Sequence, residues 1–424
     1  MKKKSSPLKS SPKLALVLSA GGARGAYEAG VIHYIRTALP PKAANRAFNI
    51  MTGTSVGAIN TAGLAATAQD PLLQGESLKR IWFSIRQDNI YSRDLSATTH
   101  FLGSTLGSIL RNFLTINPFH LARRKGPHLE SFLNTDPLKR FLSKVLAWKQ
   151  LSKNVLEGPV DAVAVSTTNI THARTELFFH KKPDLPYEGP YVHHEGPLNV
   201  HQVLASAAIP IIFPPHKIGK DYYADGGLRL FTPMSPAIQL GADRLIVVGL
   251  RKKPKPHQAY TGPNRQDKKM PTIGEQMGRL LNGLFLDRVD FDMEQMERLN
   301  TVVEVGEKIY GKDFLKKINL KMKQEKYETD IARRGLRPLE AIEIQPSEYI
   351  NQIFMKWFRS SKKAQFKLSA MEKLMVRLLD IDPSTGSDLL SYLTFAPNYI
   401  RDVFDLGFED AKSKRRQLIE MMGD

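Results

Sequence analysis

"AFNIMTGTSVGAINTAGLAATA", residues 47–68, runs from an apolar stretch through a glycine-bounded turn into a series of small side chains. Residues 47–53 read as a buried strand, because a short apolar run that stops at glycine has the length and punctuation of one. Residues 56–68 read as a helix of small residues that can pack closely on a sheet. Between them stands "GTSVG", residues 53–57, a G-x-S-x-G at a strand-to-helix junction. In such an elbow the serine sits on a sharp turn and the glycines leave room for the crowded backbone. The pentamer alone decides little, since glycine and serine frequencies would produce it in about one chain in seven of this length. Its context carries the weight.

Working outward, "LALVLS" (14–19) is another short buried strand, and "AYEAGVIHYIRTAL" (26–39) has Val31, Ile32 and Ile35 as a helical apolar stripe. "DAVAVSTTN" (161–169), "TELFFH" (175–180) and "DRLIVVGL" (243–250) read as further strands. Strands alternating with helices predict an α/β fold of three layers, a mostly parallel sheet covered on both faces. After residue 270 the pattern changes to long helices, with Met277, Leu280, Leu281, Leu284 and Phe285 at helical spacing.

The loop "SAGGARGAYEAG" (19–30) could hold a phosphate, but its details argue otherwise. A dinucleotide loop would need glycine where Ala20 stands and an acidic residue some twenty positions on, where "ANRAFNI" (44–50) has none. A P-loop would end in Gly-Lys-Ser/Thr, whereas this one continues Gly25-Ala26-Tyr27. A bend in the core and an oxyanion hole for a serine nucleophile both stay open for it.

A serine hydroxyl needs a base. His193, His194, His201 and His216 read as surface or core polar residues, and His257, the one histidine after residue 216, lies in a Lys/Pro-rich loop. Asp225 in "DYYADGGLRLFTP" is the better candidate, because a tight turn at Gly226 and Gly227 can present its carboxylate. An ordinary hairpin turn is the plainer reading of that stretch taken alone.

Taken in order, "AGGARG", "GTSVG" and "ADGG" resemble the motifs of patatin-like phospholipases, bacterial-type serine acyl hydrolases with a Ser–Asp dyad. "QVLASAAIPIIFPP" (202–215) and "TPMSPAIQLGADRLIVVGL" (232–250) extend the likeness across residues 14–250, and "LLNGLFLDRVDFDMEQMERLN" (280–300) is similar to bacterial members. The resemblance implies Ser55 as nucleophile and Asp225 as general base. It implies an oxyanion hole from N–H groups around Gly21, Gly22, Arg24 and Gly25, with Gly53, Gly57, Gly226 and Gly227 shaping the elbow and turn. Ala20 departs from the third glycine common in the family. Arg24 reads either as a surface arginine or as an aid to the loop or to a lipid phosphate. The implied reaction cleaves fatty-acyl esters of phospholipids or related lipids through an acyl-enzyme, without cofactor or metal. An acyltransferase using the same dyad, or a non-catalytic lipid-binding scaffold, is the alternative.

The whole composition fits. The 424 residues carry no cysteine, which excludes disulfides and thiol catalysis, and their formal charge is +19. Five lysines fall in "MKKKSSPLKSSPK" (1–13), and seven Lys or Arg against one Asp fall in residues 251–269. An anionic membrane surface is the expected partner and nucleic acid is not, since no nucleic-acid-binding pattern accompanies the charge. We expect a cytoplasmic protein, peripheral at the inner face of the membrane, with a basic tail (1–13), a catalytic domain (14–250), a basic linker (251–270) and a mainly helical region (271–424). Residues 101–122, rich in Phe, Leu and Ile, read as core or as a lid that contacts the acyl chain.

Overall fold

In a computed structural model, which describes residues 12–91, 133–210, 212–253, 289–325, 335–360 and 387–423, the apolar run Leu14–Leu18 forms β1 and is buried along its whole length. The other strands are β2 (Ile50–Thr54), β3 (Ala162–Asn169), β4 (Arg174–Lys181), β5 (Val192–Glu195), β6 (His216–Ile218), β7 (Asp221–Asp225), β8 (Arg244–Val248) and β9 (Glu340–Ile344). They form one sheet in the order β5-β4-β3-β2-β1-β8-β9, with the β6–β7 hairpin attached to β3. From β3 through β9 the neighbours along this order are parallel, while β4 runs antiparallel to β3. Uninterrupted apolar runs such as "LALVL" and "LIVV" suit this interior, because a parallel sheet is covered on both faces.

The two faces separate cleanly. Leu14, Leu16 and Leu18 belong to one apolar cluster, and Ala15 and Val17 to the other, as the two-residue alternation of a strand requires. Helices α1 (Ala26–Ala38), α2 (Val56–Ala66), α3 (Pro71–Ser84), α4 (Asp136–Val145) and α5 (Val200–Ser206) contribute to the larger cluster. So do two later helices, α6 (Ser387–Leu393) and α7 (Pro397–Ser413), through Leu390, Tyr392, Tyr399, Ile400, Val403 and Phe404.

Residues 390–404, well past residue 270, therefore share the main core. The later helices come with a strand that helical patterning does not announce, since "EAIEI" pairs in parallel with β8 from Arg244↔Glu340 to Val248↔Ile344. Helix α7 crosses α1 at very close range. A Cβ on Gly30 would collide with the Phe404 carbonyl, and one on Gly407 with the Tyr27 carbonyl. The Tyr27 hydroxyl donates to Asp410 at 3.0 Å across this crossing.

No helix among the described residues is long and apolar enough to cross a membrane. Residues 1–11, the hydrophobic stretch 101–122 and the segment 254–288 with His257 lie outside the described residues.

Candidate active site

Strand β3 brings the two candidate catalytic residues together. Along one side it pairs with β2 as far as Thr54↔Ser166. On that same side β7 then takes over, running the opposite way and ending at Thr167↔Asp225. Ser55 follows Thr54 directly, so the end of β2 and the end of β7 meet at the carboxyl edge of the parallel strands, where open α/β sheets bind ligands.

Ser55 has φ 56° and ψ −120°, a conformation costly for any residue with a Cβ, on the order of 1–3 kcal/mol. The surroundings hold it there. Its N–H donates to Ser206 Oγ at 2.8 Å, and that hydroxyl donates to the Ser166 carbonyl at 2.7 Å. Thr54 Oγ1 donates to the Leu230 carbonyl at 2.9 Å, which leaves Ser166 Oγ as donor in the short contact between these two hydroxyls. Gly53 and Gly57 are required by space, for a Cβ on the first would strike the Gly57 carbonyl and one on the second the Leu18 carbonyl.

Asp225 is only 1% exposed. Its Oδ1 accepts the Gly227 N–H at 2.7 Å, and its own N–H donates to the Ala208 carbonyl at 2.8 Å. Oδ2 is buried without a hydrogen bond of regular geometry. Burial pushes the carboxyl up to about 7, opposed by the nearby Ser55 hydroxyl and by the Gly227 N–H. The Ser55 hydroxyl is thus within electrostatic reach of the carboxylate without being aligned as a regular donor. A base that titrates near neutrality beside a hydroxyl on a strained turn can accept that hydroxyl's proton.

The glycine loop forms a 3₁₀ turn over Gly22–Gly25 that leads directly into α1. Gly22 has φ 55° and lies under the Tyr392 carbonyl, leaving no space for a side chain. The sequence-predicted hole residues take different positions. Gly22 lines the cavity at Ser55, whereas Gly21 faces Leu250 and Gly25 faces Val56 and Trp82. The Arg24 N–H is used inside the turn, donating to the Gly21 carbonyl at 3.1 Å.

The surface reading of Arg24 needs correction. The side chain is 4% exposed, donates from Nε and Nη2 to Ser391 Oγ at 3.0 and 2.6 Å, and stacks 3.9 Å over the Tyr392 ring. A planar guanidinium can be buried in this way because its face stacks while its edge donates. The segment it meets, α6, is more than 350 residues away in sequence, so nothing near Arg24 announces it.

Ser55, Gly22 and Val56 lie on the wall of an apolar cavity completed by Trp82, Phe213 and Phe395. A larger groove of about 590 Å³ beside β9 contains neither Ser55 nor Asp225. The histidines weighed as bases are engaged elsewhere. His201 and His216 bond one another at 3.0 Å, His194 meets Glu176 at 2.7 Å, and His193 faces Glu195 at 3.5 Å. Among the described residues no group of three His, Asp or Glu is placed to hold a metal ion. Sequence reasoning missed Ser206, although it stands inside the quoted segment "QVLASAAIP". It also missed the buried pair of Glu28 and Asn60 beside the turn.

Among solved structures, VipD from Legionella pneumophila is similar at 15% identity over 92% of each chain, with a TM-score of 0.29. Among curated proteins no match was found. Residues 16–238, just over half of the chain, match the family model described as patatin-like phospholipase. That span contains the strained serine elbow, the glycine turn and the buried aspartate, and the chain belongs to the patatin-like phospholipase family.

Proposed function

We propose that the protein is a serine acyl hydrolase that cleaves fatty-acyl esters of phospholipids or related lipids, with Ser55 as nucleophile and Asp225 as general base. The observation that carries this reading is the meeting of β2 and β7 on β3, which sets a strained serine beside a carboxyl held near neutrality. Asp225 takes the Ser55 proton, Ser55 Oγ attacks the ester carbonyl, and the alcohol leaves with that proton. Water, deprotonated by the same aspartate, then releases the fatty acid. An acyl chain suits the apolar cavity beside Ser55.

For the developing oxyanion we assign the N–H groups of Gly22 and Val56. Both residues line the cavity, and each N–H belongs to the first turn of a helical segment, where no intrahelical acceptor exists. Losing one such donor costs about 3–4 kcal/mol of transition-state stabilisation. No step calls for a metal or cofactor. The basic segments, which lie largely outside the described residues, would bring the enzyme to an anionic lipid surface.

Incubation with a fluorophosphonate probe, followed by mass spectrometry of the labelled peptide, tests the reading. Labelling at Ser55 that is lost in Ser55→Ala is expected. Labelling elsewhere, or none, would remove it.

A further inference from the structure

The mechanism above leaves unused a buried carboxyl group beside the glycine turn. Glu28, on the first turn of α1, is wholly buried. Its Oε2 accepts from Asn60 Nδ2 at 2.7 Å, its other oxygen has no hydrogen bond of regular geometry, and the Ser19 N–H lies within its influence. Asn60, on α2, is equally buried and uses both ends of its amide. Nδ2 also donates to the Gly25 carbonyl at 3.1 Å, and Oδ1 accepts from the Trp82 indole N–H at 2.8 Å.

These contacts join three parts of the site. Ser19 stands just before the glycine turn and Gly25 at its end, so the turn is gripped at both sides. Asn60 lies on the helix that begins immediately after Ser55, and Trp82 is a wall of the acyl cavity. We propose that Glu28 and Asn60 are positioning residues for acyl transfer, locking the oxyanion turn to the nucleophile helix and to the cavity wall. This rests on the hydrolase reading.

Burial favours the neutral form of Glu28 in this arrangement. It pushes the carboxyl well above the usual range, against the opposing influence of the Asn60 amide and the Ser19 N–H. A neutral acid and a primary amide can hold two backbone segments in register without placing a net charge beside the forming oxyanion. An anion there would oppose the charge that the hole must stabilise.

The test measures hydrolysis of a p-nitrophenyl acyl ester and fluorophosphonate labelling by the full-length protein. Asn60→Asp keeps the shape and the acceptor for Trp82 but has at most one proton to donate, so it cannot serve both Gly25 and Glu28. Its kcat should fall about 100-fold with KM within about threefold of wild type, the size expected when a reacting geometry slips by about 1 Å. Glu28→Gln preserves a neutral side chain of the same shape and should keep kcat within about threefold, whereas Glu28→Leu should lose about as much as Asn60→Asp.

Trp82→Phe is a second probe should Asn60→Asp not fold. It removes the N–H that orients the amide and also trims the cavity wall, so the expected result is a fall in kcat of about tenfold for a short-chain ester that does not rely on that wall. Undiminished kcat in Asn60→Asp or Trp82→Phe, or a loss in Glu28→Gln as deep as in Glu28→Leu, overturns the proposal. Wild-type protein that neither labels at Ser55 nor hydrolyses the ester would instead remove the hydrolase reading beneath it.

Discussion

Asp225→Asn removes an ionisable group from a place where burial has pushed it up to about 7, and the consequence reaches stability as well as rate. In the unfolded chain an aspartate titrates near 3.9, so between about pH 4 and pH 7 the folded protein holds a proton that the unfolded chain has released. The folded state binds more protons, and stability therefore falls as pH rises across that window. The favourable contribution is complete below about pH 4 and is lost once pH has passed about 7. At about 1.4 kcal/mol per pKa unit, an interval of about three units corresponds to about 4 kcal/mol.

Asparagine keeps an oxygen for the Gly227 N–H, at 2.7 Å in the wild type, and carries no charge at any pH. The variant should be about as stable as wild type at pH 4 and more stable by up to about 4 kcal/mol at pH 8, while hydrolysing no ester. This is the trade of stability for activity expected where a buried base must ionise. Thermal melts of both proteins across that pH range are the assay, with ester hydrolysis measured in parallel. A difference in midpoint that does not grow between pH 4 and pH 8 would refute the electrostatic reasoning. Full activity in Asp225→Asn would refute the assignment of the base.

Three further outcomes are expected. With Asp225 as base, kcat/KM should rise with pH through about 7 and level off above it, since the carboxylate form is the active one; a profile flat from pH 5 to pH 9 would count against it. Arg24→Ala should lower stability by about 2–4 kcal/mol, because it strips both donors from Ser391 Oγ and the stacking face from Tyr392, and Arg24→Lys should not restore it; chemical denaturation measures both. Sedimentation with anionic vesicles should weaken as salt rises and should drop when Lys252, Lys255, Lys268 and Lys269 are changed to Gln, each charge near the surface being worth about 1 kcal/mol. Lys253 is left intact in that variant because it pairs with Glu343 at 2.6 Å, and undiminished binding would mean that these charges do not serve lipid attachment.

Much of the molecule is legible in its sequence, and what is legible is local. The five strands expected from apolar runs are all present, because a strand buried on both faces has no polar side to interrupt its pattern. The serine elbow shows itself because a turn that crowded requires glycine at positions 53 and 57, and both collide with backbone if a Cβ is added. The small residues of α2 likewise follow from its close approach to the sheet. Each of these signals lies within a few residues of the feature it announces.

What only the tertiary structure decided depends on partners far away in the chain. No pattern in residues 221–225 says that β7 will continue the track of β2 along β3, yet that pairing brings Asp225 to Ser55. Arg24 looks like a loop arginine until α6 covers it, and "EAIEI" is too short and too mixed in polarity to declare itself the strand beside β8. Nothing near Glu28 or Asn60 in sequence says that the two will meet. Their burial becomes tolerable only when α1, α2 and α3 meet, which gives one Glu28 oxygen and both ends of the Asn60 amide a partner. Local backbone preference and apolar spacing are written along the chain, whereas the completion of buried polar groups is settled only when distant segments pack.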